Sequence, residues 1–108
     1  MKTKLFIAAA LTLAATAAFA DGAALYAEKT CIACHGKEGK KALIASYPKL
    51  AGQNAAYMAQ QMMDIRSGAR SNGSSAAMKG VMVNAEGDQL VSDADIKDLA
   101  AYLSKIKP

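Results

Sequence analysis

The sequence predicts a small all-α domain, and three of its features carry that expectation. Ile96, Leu99, Ala100, Leu103 and Ile106 recur at i, i+3, i+4, i+7 and i+10, one apolar stripe along a helix. The stretch from 54 to 68 opens on Asn54, a favoured N-cap, and closes on Gly68, a favoured stop, with Tyr57, Met58, Met62 and Ile65 at roughly helical spacing between them. No alternating strand pattern surrounds the only two cysteines, Cys31 and Cys34.

The 108 residues divide at Ala20. Lys2 and Lys4 precede an uncharged stretch from Leu5 to Ala20 that ends in Ala18-Phe19-Ala20. A basic start, an apolar middle and a small-x-small site make the plan of a secretory signal peptide. The uncharged run is 16 residues, half of them alanine, whereas a membrane-spanning helix needs about 20 predominantly apolar residues. The expectation is a leader, 1–20, cleaved on export, with a retained anchor as the alternative, and one mature domain, 21–108, without stable membrane insertion.

That domain is too short for a multidomain enzyme. Its formal charge falls from +4 to +2 once Lys2 and Lys4 are gone, which argues against a strongly basic nucleic-acid binder. Both phenylalanines leave with the leader, so four tyrosines are its only aromatics. A chain this small with so few large apolar side chains ordinarily adds disulfides, a metal or a cofactor. A disulfide between Cys31 and Cys34 would close a tiny loop and constrain little of the unfolded chain.

From Asp21, read as the cap, a first helix is expected through Leu25, Tyr26 and Lys29 into Cys31-Ile32-Ala33-Cys34-His35, which holds the only histidine. C-x-x-C-H is the pattern of covalent haem c attachment. Each thiol adds across one vinyl group of the macrocycle, and two intervening residues on one helical turn match the separation of those vinyls. His35 then projects over the ring plane and offers a nitrogen to the iron. Three other readings fit less well. A redox C-x-x-C pair belongs near a βαβ pattern; a structural zinc site needs four ligands where three Cys or His exist; a buried structural pair leaves His35 unexplained.

Lys37 to Lys41, with Gly36 and Gly39, reads as a turn, 42–47 is ambiguous, and Pro48 ends any helix before it. After the 54–68 helix, residues 69–91 carry Gly73, Gly80, Gly87 and several serines and read mostly as loop, long enough to suggest function. The last helix starts at Ser92, with Asp95 three residues on as a capping-box partner. Its aspartates lie early and Lys105 and Lys107 late, as the helix dipole favours.

These blocks together resemble the class I c-type cytochromes, in particular the small bacterial periplasmic monohaem proteins and single halves of their dihaem relatives. The resemblance rests on Cys31 to Gly36, Tyr47-Pro48-Lys49-Leu50-Ala51-Gly52-Gln53, Tyr57, Gln61, Gly68, Arg70, Met78-Lys79-Gly80-Val81 and the segments Ser92–Ile96 and Ala101–Leu103. It covers nearly all of 22–107. It implies short helices wrapped around one covalent haem, with the first and last helices crossing where Gly22 leaves room for Leu99 or Tyr102. It further implies that the Pro48 carbonyl accepts the free ring N–H of His35, and it suggests Arg70 as a partner for a haem propionate.

A single histidine rules out bis-histidine iron within one chain, and a methionine in the sixth position would give a higher-potential electron-transfer centre than open coordination. Met58, Met62 and Met63 lie in the predicted helix, where methionine more often fills core, which leaves Met78 and Met82. The resemblance favours Met78, since it precedes a basic residue, a glycine and a small apolar residue; Met82 is the alternative, because the stretch from Met82 to Gln89 is longer than the family's usual one. The function so implied is a periplasmic one-electron carrier that is not itself an enzyme and works between redox protein partners. Lys37, Lys40, Lys41, Lys49 and Lys79 are candidates for a basic docking rim. Two alternatives accompany it: a haem subunit of a periplasmic oxidoreductase, for example one oxidising sulfur compounds, and a ligand-binding haem protein with a labile methionine.

Overall fold

The last helix forms where its apolar stripe places it. In the computed structural model, which describes residues 21–108, helix α5 spans Asp93–Ser104. Before it come α1 over 21–28, α2 at Cys31–His35, a short 3-10 turn at Lys37–Gly39, α3 at Ala55–Ser67 and α4 at Ser75–Met82. Among the described residues there is no β-strand, only one antiparallel bridge between Val83 and Gln89. The expected leader, 1–20, lies outside the described residues.

The start of α5 is a complete capping box. Asp95 N–H donates to Ser92 Oγ at 3.1 Å, and Ser92 N–H donates to Asp95 Oδ2 at 3.1 Å, which satisfies two amides a helix start leaves open. The stripe behind it is buried: Ile96, Leu99, Ala100 and Leu103 are each at most 3% exposed. They pack with Met58, Met62 and Ile65 of α3, Met82 of α4, and Val91 and Tyr26. Each fully buried large aliphatic side chain of this kind contributes about 1.5–3 kcal/mol. Helix α3 keeps both predicted ends, with Asn54 Oδ1 accepting from Tyr57 N–H at 2.9 Å and Gly68 in the left-handed conformation at φ 89°.

Gly22 lies against α5. A Cβ there would stand 2.5 Å from Tyr102 Cβ and 2.6 Å from the Asp98 carbonyl oxygen, so α1 and α5 meet at backbone distance where a side chain is missing. One turn on, Tyr26 is 2% exposed and its ring lies 5.9 Å from that of Tyr102. The expected crossing is present. Asp21 is helical and is the first described residue of α1, so the expected cap falls at the edge of the described residues.

One expectation on local structure changes, and a second gains an element. The first helix does not run on into the cysteine motif: Thr30 takes a left-handed φ of 64° and separates α1 from α2. A β-branched residue there is strained, and the break ends α1 before the cysteine motif. Residues 69–91 are mostly loop, as expected, but one short helix that was not expected, α4, occupies their middle. Ala76, Ala77, Met78 and Lys79 are good helix formers, and they outweigh the roughly 1 kcal/mol that Gly80 costs inside a helix. The following segment folds back, with Leu90 and Val91 N–H both donating to the Met82 carbonyl at 2.9 and 3.3 Å.

Candidate functional site

Helix α2 is a single turn, and it carries Cys31, Cys34 and His35 together. Both cysteines are free thiols and half-buried. Burial pushes the Cys31 thiol above its ordinary pKa, more than its own backbone amide lowers it. A disulfide oxidoreductase needs the opposite, a thiol activated by a lowered pKa, so the redox-thiol reading loses its chemistry here.

His35 is only 9% exposed. Its Nδ1 lies 3.3 Å from the Pro48 carbonyl oxygen, which can only accept, so the ring proton sits on Nδ1 and the lone pair is on Nε2. The contact is long for a hydrogen bond, and the ring of Tyr47, 6.2 Å from that of His35, flanks the histidine. Burial lowers the His35 pKa, partly opposed by the Pro48 carbonyl, which favours the N–H-bearing charged form. The net effect keeps the imidazole neutral, the form that binds metal.

The turn after His35 holds the motif in place. Gly36 has φ 80°, and a Cβ on it would stand 1.9 Å from the Lys41 carbonyl oxygen, so no side chain fits. Tyr26 Oη donates to the Gly36 carbonyl at 2.6 Å. Burial, chiefly, raises the Tyr26 pKa to about 12, and the phenol remains a donor. Leu43 N–H donates to the Cys34 carbonyl at 2.9 Å and closes the loop onto α2.

The methionines separate by environment. Met58 and Met62 are buried in the α3 face of the core, and Met63 packs beside it. Met82 is 3% exposed and is a core residue in its own right. Met78, one turn earlier on α4, is half-buried at the core's edge. Several large apolar side chains stand open on the polypeptide, with Leu43 72%, Tyr57 55% and Ile44 48% exposed. Two free thiols and a buried neutral imidazole on one turn, in a domain that leaves large apolar side chains uncovered, are the chemistry that a haem c fits.

Other expected site residues are scattered. Arg70 Nη1 donates to Gln61 Oε1 at 3.0 Å. Lys37, Lys40, Lys41, Lys49 and Lys79 are all exposed; Lys40 pairs with Glu38 at 3.8 Å, and Lys79 Nζ lies 3.1 Å from where a Cβ on Gly68 would stand. Sequence reading missed Arg66, which reaches from α3 to the Val91 carbonyl and to Asp93. No spacing rule marks it, since both partners lie about 25 residues away in sequence and are brought close only by packing.

A family model described as Cytochrome c matches residues 19–107. Cytochrome c-554(548) of Halomonas halodenitrificans is 43% identical over 75 residues, covering 69% of this chain and 82% of that protein. Cytochrome c4 of Pseudomonas aeruginosa is 38% identical over 108 residues, 96% of this chain but 49% of its own length. The thiosulfate dehydrogenase electron acceptor of Thiomonas intermedia is 40% identical over 79 residues, 73% of this chain and 32% of that protein. The chain thus spans about half or less of the length of the longer relatives it matches. With the helical fold and the Cys31–His35 turn, the match places the chain in the cytochrome c family, as a class I c-type cytochrome. It is a haem c electron carrier, with one haem bound covalently at the Cys31-Ile32-Ala33-Cys34-His35 motif.

Proposed function

We propose that residues 21–108 form a periplasmic one-electron carrier, released by cleavage after Ala20, in which His35 Nε2 and the Met78 thioether are the two axial ligands of the iron. The observation that carries this reading is His35 itself: buried, with Nδ1 directed at the Pro48 carbonyl and Nε2 free, one residue from Cys34. When bound, the haem supplies an iron couple whose potential a His/Met pair raises. Pro48 orients the imidazole and increases its basicity. Cys31 and Cys34 hold the macrocycle against α2 through two thioether bonds. Met78 is favoured over Met82 because its side chain is only half-buried, whereas Met82 would have to leave the core to reach a metal. The chain's one histidine is used on iron, leaving no acid–base residue of that kind for catalysis, which supports a carrier over an enzyme.

Its partners on this reading are redox proteins met through small, transient contacts, and among the described residues no helix is long and apolar enough to cross a membrane. A second reading, electron acceptance from a dehydrogenase of sulfur compounds, is favoured by the Thiomonas relative, named as a thiosulfate dehydrogenase electron acceptor.

The test is spectroscopic. Ferric wild-type protein should show the weak near-infrared sulfur-to-iron charge-transfer band, and the ferrous form should resist carbon monoxide. Met78→Ala should abolish the band, admit carbon monoxide and lower the potential. Met82→Leu, chosen because an alanine would leave a cavity in the core, should preserve all three properties. Loss of the band in the Met82 variant alone would move the ligand to Met82. Rapid carbon monoxide binding by wild type would favour a ligand-binding haem protein.

A further inference from the structure

Helix α4, which carries Met78, is tied to the rest of the domain at its C-terminal end by a chain of hydrogen bonds that begins at Arg66. The Met82 carbonyl at the end of α4 accepts from Leu90 and Val91 N–H. The Val91 carbonyl in turn accepts from Arg66 Nη1 at 2.9 Å, and Arg66 Nη2 pairs with Asp93 in the first turn of α5. The Arg66 side chain is 12% exposed and Val91 2%, while Asp93 is 67% exposed. Among the described residues, Arg66 is the one side chain of another element that hydrogen-bonds the 83–91 segment.

We infer that Arg66 is a positioning residue for the sixth iron ligand: through Val91 and the Met82 carbonyl it holds the end of α4 closed, and so sets how fast Met78 leaves the iron. This rests on the reading of Met78 as that ligand. Releasing Met78 requires α4 to swing away from α3 and the 83–91 segment to give way. Arg66 opposes that motion with a charge-assisted bond to the carbonyl of Val91, a residue only 2% exposed. Its pair with Asp93 faces solvent and contributes little. Removing the guanidinium leaves the Val91 carbonyl unpaired in the closed state and satisfied in the open one, which shifts the balance towards opening.

The experiment is stopped-flow binding of imidazole to the ferric holo-protein, followed by loss of the near-infrared band. At saturating imidazole the rate is that at which Met78 dissociates and α4 opens. Arg66→Met, which keeps the unbranched stem, should accelerate it about tenfold or more, the effect of losing one charge-assisted hydrogen bond. Arg66→Lys, the variant to use if Arg66→Met does not fold, should fall between the two but exceed threefold, because an ammonium lacks the guanidinium's fixed planar geometry and holds the Val91 carbonyl less well. Asp93→Asn should stay within threefold of wild type, and equal acceleration there would overturn the role given to the Val91 carbonyl. Leu103→Val, near Gly39 and at the opposite end of α5 from Asp93, controls for general loosening. If it accelerates binding as much as Arg66→Met at matched loss of denaturant stability, Arg66 is merely structural and the inference is wrong. If Met78→Ala removes the band but Arg66→Met stays within threefold of wild type, the inference fails while the ligand reading stands. If Met78→Ala leaves the band unchanged, the ligand reading itself has failed.

Discussion

Gly22→Ala tests the crossing of α1 and α5, on which the position of the haem-binding turn depends. The new methyl would lie 2.5 Å from Tyr102 Cβ and 2.6 Å from the Asp98 carbonyl oxygen, each roughly 1 Å or more inside ordinary carbon contact. Neither atom is the end of a flexible side chain. Relief therefore requires α1 to move bodily off α5, which disturbs the Tyr26–Tyr102 pair and the bond from Tyr26 Oη to Gly36. Overpacking of this kind costs about 1–3 kcal/mol, and alanine's better helix propensity returns up to about 1 kcal/mol. A net loss of about 1–2 kcal/mol in a domain this size lowers Tm by roughly 5–15 °C. The assay is thermal melting of the oxidised holo-protein by far-ultraviolet circular dichroism, with the exposed Ala23→Ser as control. A Gly22→Ala midpoint at or above wild type, or an equal fall in Ala23→Ser, would refute the close approach.

Two further predictions concern the cofactor and its proximal ligand. The mature protein should have the mass of residues 21–108 plus one haem after acid–acetone extraction, and a variant with Cys31 and Cys34 both changed to alanine should lose most of its helical circular dichroism. Native-like helix content with cooperative melting in that variant would show that the polypeptide core suffices without the haem. On acidification, two effects act on His35 in the same sense: burial lowers its pKa from the ordinary 6.5, and iron competes with the proton for Nε2, so the stability it contributes is complete above 6.5 and is lost only as pH falls below it. The Soret change that reports loss of the axial histidine should therefore have its midpoint below 6.5, and a midpoint at or above it would contradict iron ligation by a buried His35.

Much of the site could be read from the linear chain because its chemistry is local. Two thiols and an imidazole on one helical turn are covalent neighbours, so spacing alone places them, and the ends of α3 and α5 follow from capping residues within four positions of the helices they cap. Helix α4 was harder, because eight residues containing a glycine give a weak periodic signal, and the helix is held in place by packing against α3 and by the amides that fold back onto Met82. The separation of Met78 from Met82 has the same cause. The two are four residues apart and chemically identical, and only the packed core decides that Met82 is filled in while Met78 stays at the edge.

The sequence by itself determined the helical class, the haem-binding turn and the helix caps, since each depends on residues within a few positions of one another. Tertiary structure alone decided the course of the 83–91 segment and the reach of Arg66 to Val91 and Asp93. Those contacts join residues distant along the chain, and their free energy comes from burial and paired polar groups that exist only once α3, α4 and α5 have packed.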